Sequence, residues 1–211
     1  NDYSVGLEEV FIETFEGLGG KIVAKESYSE GDQDFRAQLT KIRAQKPEAI
    51  YMPGYYTEAG LIAKQMRQLG MDQPILGPDG FDSPKLFEIG GDAVYGSYFT
   101  NHYHPDAGDE VSQRFLESYR AKYDKDPDGF AALGNDAAMI LFSAIERAGD
   151  AALSGNIAAA RAAIRDEMAK TKDLHVVTGV LTLDENRNPV KSAVILKVVE
   201  GGYEFVERVE P

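Results

Sequence analysis

The feature that most constrains this chain is the alternation of its first hundred residues between two hydrophobic periods. Leu7, Val10, Phe11, Thr14 and Leu18 recur at three and four residues, the spacing of one helical face. Gly19-Gly20 supplies a stop, and Ile22-Val23-Ala24 then reads as a short buried strand. Phe35, Leu39 and Ile42 form a second helical stripe, with Asp34 as its N-cap and Pro47 beyond its end. Ala49-Ile50-Tyr51-Met52 is the next strand. Ile62, Met66 and Leu69 make a third stripe, closed by Gly70, and Ile75-Leu76 is strand again. Ser83-Pro84 is a cap followed by proline at the first helical position, and Val94 to Thr100 is a further strand. Strands and helices alternating at this spacing, with strand cores that are apolar throughout, predict βαβ units. They imply a mostly parallel sheet with helices on both faces.

Beyond His104 the pattern turns helical. Segments from about Asp109 to Tyr123, Phe130 to Ala148 and Asn156 to Lys170 each carry an inward stripe. From Val176 to Val209 the chain alternates, with Val194, Leu196 and Val198 on one face. Asn186-Arg187-Asn188-Pro189 and Gly201-Gly202 are turn signals. Two features stand out. The three helical segments have almost no strands of their own to cover, and amphipathic helices need an apolar partner. The first helix also begins at Asp2-Tyr3-Ser4 with no strand before it. Both predict that part of the fold comes from residues outside this sequence, in a preceding segment or a partner chain.

Composition narrows the function. With 22 Lys and Arg against 35 Asp and Glu, the net charge of −13 repels nucleic acid, whose binding needs clustered cations. The acids are spread along the chain, as on a solvated surface. The absence of cysteine excludes disulfides, thiolate metal sites and cysteine nucleophiles. No leader pattern opens the chain, so an export signal is expected to have been removed or to lie upstream. None of the hydrolase, P-loop or zincin motifs is present, and Gly17-Leu18-Gly19-Gly20 ends a helix instead of following a strand. His102 and His104 share a face if 98–104 is extended, but two histidines without a third ligand make a poor metal site. A surface or hinge role suits them better, and His175 reads as structural. Glu8-Glu9 are first-turn acids favoured by the helix dipole. No catalytic residue, metal site or cofactor is expected.

In an open parallel α/β sheet, ligands bind beyond the carboxyl ends of the strands. Two loops lie there, Gly54-Tyr55-Tyr56-Thr57 and Gly77-Pro78-Asp79-Gly80-Phe81, and Tyr3 stands at the same edge if a strand precedes it. Two tyrosines and an aspartate suit a small ligand with an ammonium group and a carboxylate. Asp79 accepts charge-assisted hydrogen bonds from the ammonium, and the rings face it or wall the apolar part. The competing reading is ordinary turn chemistry with half-buried tyrosines.

The strings "DYSVGL", "GDQDFRAQLTKIRAQKPEAIYMPGYYTEAGLIAKQMRQLG", "PILGPDGFDSPKL", "FAALGNDAAMIL" and "TGVLTLDENRNPVKSAVILKV" follow one another in this chain. In that order and spacing they resemble the periplasmic leucine/isoleucine/valine-binding proteins. The resemblance implies an α/β, two-lobed type I periplasmic binding protein-like fold, its parallel sheets flanked by helices, incomplete in this chain. Residues 1–103 would be the bulk of the second lobe and 104–178 the helical part of the first. Residues 179–211 would be strands returning toward the second lobe. An absent N-terminal part, on the order of 140 residues for a lobe-sized domain, would supply most of the first lobe and the first strand of the second.

Carried over residue by residue, Tyr3 matches the cleft tyrosine ahead of the first helix of the second lobe. Tyr55 matches the tyrosine of the "GYY" loop, and Asp79 the acid that takes the ligand's ammonium. The family's "GYDA" pattern reads Gly134-Asn135-Asp136-Ala137 here, a departure at position 135. The residues that grip the ligand's carboxylate would come from the absent lobe. The function implied is the solute-binding component of an ABC importer, non-enzymatic, binding a branched-chain or other aliphatic amino acid. Its partners would be that amino acid and a membrane permease, and its location the periplasm or a lipid anchor at the outer face of the cell membrane. Alternatives are the ligand-sensing domain of a receptor on the same fold, or a binder of small aliphatic or aromatic acids. A repressor core would need a DNA-binding module and a basic patch, which this sequence lacks.

Overall fold

The structure, a computed structural model, describes residues 1–211 apart from the side chain of Ala107. In chain order the elements are α1 (Asp2–Gly17), α2 (Arg36–Ala44), β1 (Ile50–Tyr51), α3 (Tyr56–Gln68), β2 (Ile75–Gly77), α4 (Pro84–Gly90) and β3 (Tyr98–Asn101). There follow α5 (Glu110–Tyr123), α6 (Gly129–Ala148), α7 (Ile157–Met168), β4 (Leu174–Val176), β5 (Gly179–Leu183), β6 (Pro189–Val190), β7 (Ala193–Val199) and β8 (Gly202–Val209). The chain divides into two compact units, Asn1–Thr100 with Ile195–Val206, and Asn101–Val194 with Glu207–Pro211. The segment expected as one C-terminal block, 179–211, is therefore split. β5 and β6 pair within the second unit, while most of β7 and β8 joins the first.

The first unit is built on a five-stranded sheet of order β1-β2-β3-β7-β8. β1, β2 and β3 are parallel, with Ile50 opposite Ile75 and Leu76 opposite Tyr98, as the βαβ spacing requires. β7 and β8 are joined through Glu200-Gly201, and Gly201 takes the left-handed φ of 82° that this turn needs. The core gathers Phe35, Leu39, Met52, Ile62, Met66, Ile75, Phe99 and Leu196. The Ser83-Pro84 signal holds, since Ser83 caps α4 by accepting the N–H of Lys85 at 3.2 Å.

Three expectations for this unit need correction. Ile22–Ala24 forms no strand. It runs outside any ladder and Val23 is exposed, because an apolar triplet becomes a strand only when a neighbour pairs with it. Asp34 is not the cap of α2. Phe35 holds that position, and the Asp34 carboxylate accepts the N–H of Arg36 from one residue further out. The strand read at 94–100 begins only at Tyr98, because Gly91–Val94 winds into a 3-10 turn.

The second unit holds α5, α6 and α7 with a three-stranded antiparallel sheet, β4-β5-β6. The expectation that these helices have almost no strands of their own is thus corrected, since β4 packs on both α5 and α6. The helices are capped as Asp and Asn at their starts suggest. Asp109 accepts the N–H groups of Val111 and Ser112, Asp128 that of Ala131, and Asn156 that of Ala158. Tyr103, Ala132 and Val177 form a small core, with Phe115 and Met139 against it. Asp136 is buried beside it. Its carboxylate accepts the N–H of Val177 at 2.7 Å and the Thr178 hydroxyl at 2.6 Å, so it fixes the link from β4 into β5. Burial pushes its pKa up, partly offset by those hydrogen bonds. Much of the apolar surface of α6, including Phe130, Leu141 and Phe142, remains exposed.

Candidate ligand-binding site

The parallel strands β1 and β2 end at neighbouring points of the first unit, and the two glycine-containing loops leave from there. Tyr55 follows Gly54 and caps α3 in an extended conformation. Asp79 opens a 3-10 turn, Asp79–Phe81, two residues past β2. Tyr3 lies in the first turn of α1, whose N-terminus is closed by the Asn1 side chain accepting the N–H of Ser4 at 3.0 Å.

These three residues meet. The Tyr3 hydroxyl donates to Asp79 Oδ1 at 2.5 Å and accepts the N–H of Gly80 at 3.1 Å. The Tyr3 ring stacks on Tyr55 with centroids 4.9 Å apart and planes 24° from parallel. The two loops approach so closely that a Cβ on Gly80 would lie 2.5 Å from the Gly54 carbonyl oxygen and 3.2 Å from the Tyr55 ring. Only glycine fits there. A turn-chemistry reading accounts for each loop alone, but not for a hydroxyl from residue 3 closing on a carboxylate at residue 79.

Burial, and then the hydrogen bond to Asp79, push the Tyr3 phenol far above the usual tyrosine range, so it stays a neutral donor. Tyr51 is also shifted up, by burial and by the charge of Asp79. Beside this cluster a groove of about 490 Å³ is lined by Asn1, Tyr3, Glu30, Tyr55, Tyr56, Thr57 and Glu58. Asp79 is not on its wall, and the groove reaches that carboxylate through Tyr3.

Sequence reasoning missed the two acids of the groove. Glu58 is buried and accepts the N–H of Gly31 at 3.0 Å. With burial, its charge pushes Tyr28 up to about 12. The linear signal was weak, because Glu58 near the start of a helix reads as a dipole-complementing surface acid. Among the described residues no group of three or more His, Cys, Asp or Glu is arranged to hold a metal ion. His104 Nδ1 accepts the N–H of Asp106 at 3.2 Å, and His175 is exposed on β4. The second unit has a concavity of its own, about 580 Å³, lined in part by His102, His104, Asp109, Ser192 and Arg208. Nothing in the sequence pattern pointed to it.

In open α/β sheets, the space beyond the carboxyl ends of the strands, where these aromatic and acidic side chains lie, is where small ligands generally bind. The chain belongs to the periplasmic binding protein family, whose sequence model matches residues 1–203, and its fold is that of the type I periplasmic binding proteins. Its relatives include a leucine-binding protein LivK of Thermotoga maritima, 44% identical, with a TM-score of 0.92 over 100% of this chain and 58% of that one. The branched-chain amino acid transporter substrate-binding protein LivJ of Streptococcus pneumoniae, solved with isoleucine, is 36% identical, with a TM-score of 0.82 over 100% of this chain and 57% of that one. The Leu/Ile/Val-binding protein BraC3 of Rhizobium johnstonii is 32% identical over 71% of this chain and 40% of its own length. The chain thus spans only about half the length of the relatives it matches.

Proposed function

We propose that this chain is part of the solute-binding component of an ABC importer and binds a branched-chain or other aliphatic amino acid. The observation that carries the reading is the Tyr3–Asp79–Tyr55 cluster at the carboxyl ends of β1 and β2. A carboxylate is an acceptor that an ammonium group binds through charge-assisted hydrogen bonds, and the tie to Tyr3 fixes where this one stands. The stacked rings of Tyr3 and Tyr55 add an aromatic face of the kind that attracts cations. Glu58 and Glu30 on the groove wall add negative potential in the same region. A ligand with an acid group and no amine would bring its charge toward Asp79 unpaired, which disfavours the small-acid alternative.

The names of the relatives support the ligand class. One is solved with isoleucine, and a Pseudomonas aeruginosa protein, 31% identical, is named for binding leucine, isoleucine, valine, threonine and alanine. The family resemblance assigns the carboxylate-gripping groups to residues outside this chain and gives the permease as partner. A periplasmic location, or a lipid anchor at the outer face of the cell membrane, belongs to the same reading. No helix among the described residues is long and apolar enough to cross a membrane.

Titration calorimetry on the protein that carries this chain tests the proposal. Leucine, isoleucine or valine should bind, and Asp79→Ala should weaken binding by roughly 2–5 kcal/mol, the cost of truncating one partner of a buried charge pair. Unchanged affinity in that variant would reduce Asp79 to a turn residue and reopen ligands without an amine.

A further inference from the structure

The turn that presents Asp79 is held from behind by a residue far away in sequence. Tyr203, on β8, sends its hydroxyl to the end of that turn, where it accepts the N–H of Ser83 at 3.1 Å. It also faces the carbonyl oxygens of Phe81 at 3.1 Å and Ser83 at 3.0 Å, to either of which it donates. A phenol has one proton to donate and lone pairs to accept, so one hydroxyl serves both the N–H and a carbonyl of the same short segment. The ring is equally placed. It packs edge-on to Phe99 at 4.9 Å between centroids and against Phe87 at 5.1 Å.

The segment so held is short and tightly seated. Phe81 is almost fully buried, and its ring lies directly over Gly77, where any Cβ would collide with it. The N–H of Phe81 bonds to the Pro78 carbonyl at 3.1 Å and that of Asp82 to the Asp79 carbonyl at 3.0 Å. Asp79 therefore sits on a single turn with two external phenolic ties. Tyr3 grips its front, at the carboxylate and the Gly80 N–H, and Tyr203 fixes its rear, at Phe81 and Ser83.

We infer that Tyr203 is a positioning residue for amino acid binding: its hydroxyl fixes the Asp79–Ser83 turn so that the Asp79 carboxylate is pre-aimed at the ligand's ammonium. This rests on the reading of Asp79 proposed above. A group held in its bound orientation beforehand loses less freedom when the ligand arrives, and loosening it costs affinity without removing any ligand contact.

The experiment compares the wild-type protein that carries this chain with Tyr203→Phe, Asp79→Asn and the double variant, using isoleucine as titrant. Tyr203→Phe keeps the ring between Phe87 and Phe99 and deletes only the hydroxyl. It should weaken isoleucine binding about five- to tenfold, the scale of one hydrogen bond, since tenfold corresponds to about 1.4 kcal/mol. On the Asp79→Asn background the same change should do almost nothing, because a residue that acts through Asp79 has little left to position. Phe87→Leu is the structural control. It should lower the melting temperature at least as much as Tyr203→Phe and leave affinity within about twofold. Unchanged affinity in Tyr203→Phe, or equal losses on both backgrounds, overturns the positioning role alone. A wild-type protein that binds isoleucine, leucine and valine not at all overturns the functional reading and this inference together.

Discussion

α1 and α3 are similar on paper and opposite in the structure. Both carry apolar residues at helical spacing and both belong to the first unit. α3 buries Ala59, Gly60, Ile62, Ala63 and Met66, and even its polar Glu58 and Gln65 are enclosed. Gln65 accepts the N–H of Phe35 at 2.7 Å and donates to the Gln33 carbonyl at 2.8 Å, so its burial is compensated. α1 buries nothing completely. Phe11 stacks on Tyr51 at 3.9 Å, but Val10 is 64% and Leu18 83% exposed. Periodicity says which face of a helix seeks a partner. Whether the partner exists among residues 1–211 is a tertiary fact, and for α1 it largely does not. α1 is fixed at its first turn, where Tyr3 is bonded to Asp79, and by the stack of Phe11 on Tyr51. One helix is held by full burial of a face and the other by a polar tie and partial packing.

The widest gap between them should appear on truncating a core contact. Met66 in α3 is 0% exposed. Met66→Ala should destabilise the protein by about 2–5 kcal/mol, the range for deleting a buried large side chain and leaving a cavity. Urea unfolding measures it, as a shift in midpoint at constant m-value. A loss under about 1 kcal/mol would mean that α3 is no better packed than α1, and the contrast would collapse.

The polar tie gives a smaller effect with a distinctive pH dependence. Tyr3 has its pKa raised on folding, first by burial and then by the hydrogen bond to Asp79. A group raised in the folded state stabilises fully below its unfolded pKa, about 10 for tyrosine, and that stability is lost as pH rises above it. Tyr3→Phe should cost about 1–2 kcal/mol near neutral pH, as loss of a hydrogen bond to a charged acceptor does at a part-exposed site. Its stability should then fall less steeply than the wild type's above pH about 10. Parallel curves for the two proteins, read by chemical unfolding at pH 7 to 11, would show that the phenol titrates alike in both states and ties nothing down.

What the sequence made legible follows the same division. The parallel pairing of β1, β2 and β3 and the helices α2, α3 and α4 were readable because their stripes find partners largely within the first hundred residues. The meeting of the candidate residues was partly readable for a related reason. Tyr55 and Asp79 lie in the loops that leave β1 and β2, at the edge where parallel sheets generally bind ligands. Tyr3 needed the family resemblance, since no strand precedes it to mark the edge. The triplet Ile22–Ala24 misled because its composition is that of a strand while its neighbour is lacking. β4 was missed beneath α5 and α6, since a three-residue strand carries too little pattern to register, while β5 lay in the alternating tail that was expected to return toward the first unit. Glu58 and Tyr203 were illegible for another reason. Their roles depend on contacts with Gly31, Phe81 and Ser83, which no local period encodes.

The smallest expected effect is also the most discriminating for α1. Val10 is mostly exposed, so Val10→Ala in this chain should change stability by no more than about 0.5 kcal/mol. Two small terms nearly cancel there. A little apolar contact is lost, and alanine's higher helix propensity is gained. In a protein where the outer face of α1 is covered by another polypeptide surface, the same substitution removes two buried methyl groups and costs about 1–2 kcal/mol at roughly 0.8 kcal/mol each. Measuring Val10→Ala by urea unfolding, both in this chain and in the protein that carries it, separates these cases. A loss above about 1 kcal/mol in this chain alone would show that α1 finds an apolar partner within residues 1–211 after all, and would overturn the contrast with α3. A negligible loss here and a larger one in the carrying protein would show that α1 is a half-finished contact, its apolar stripe completed by residues beyond these.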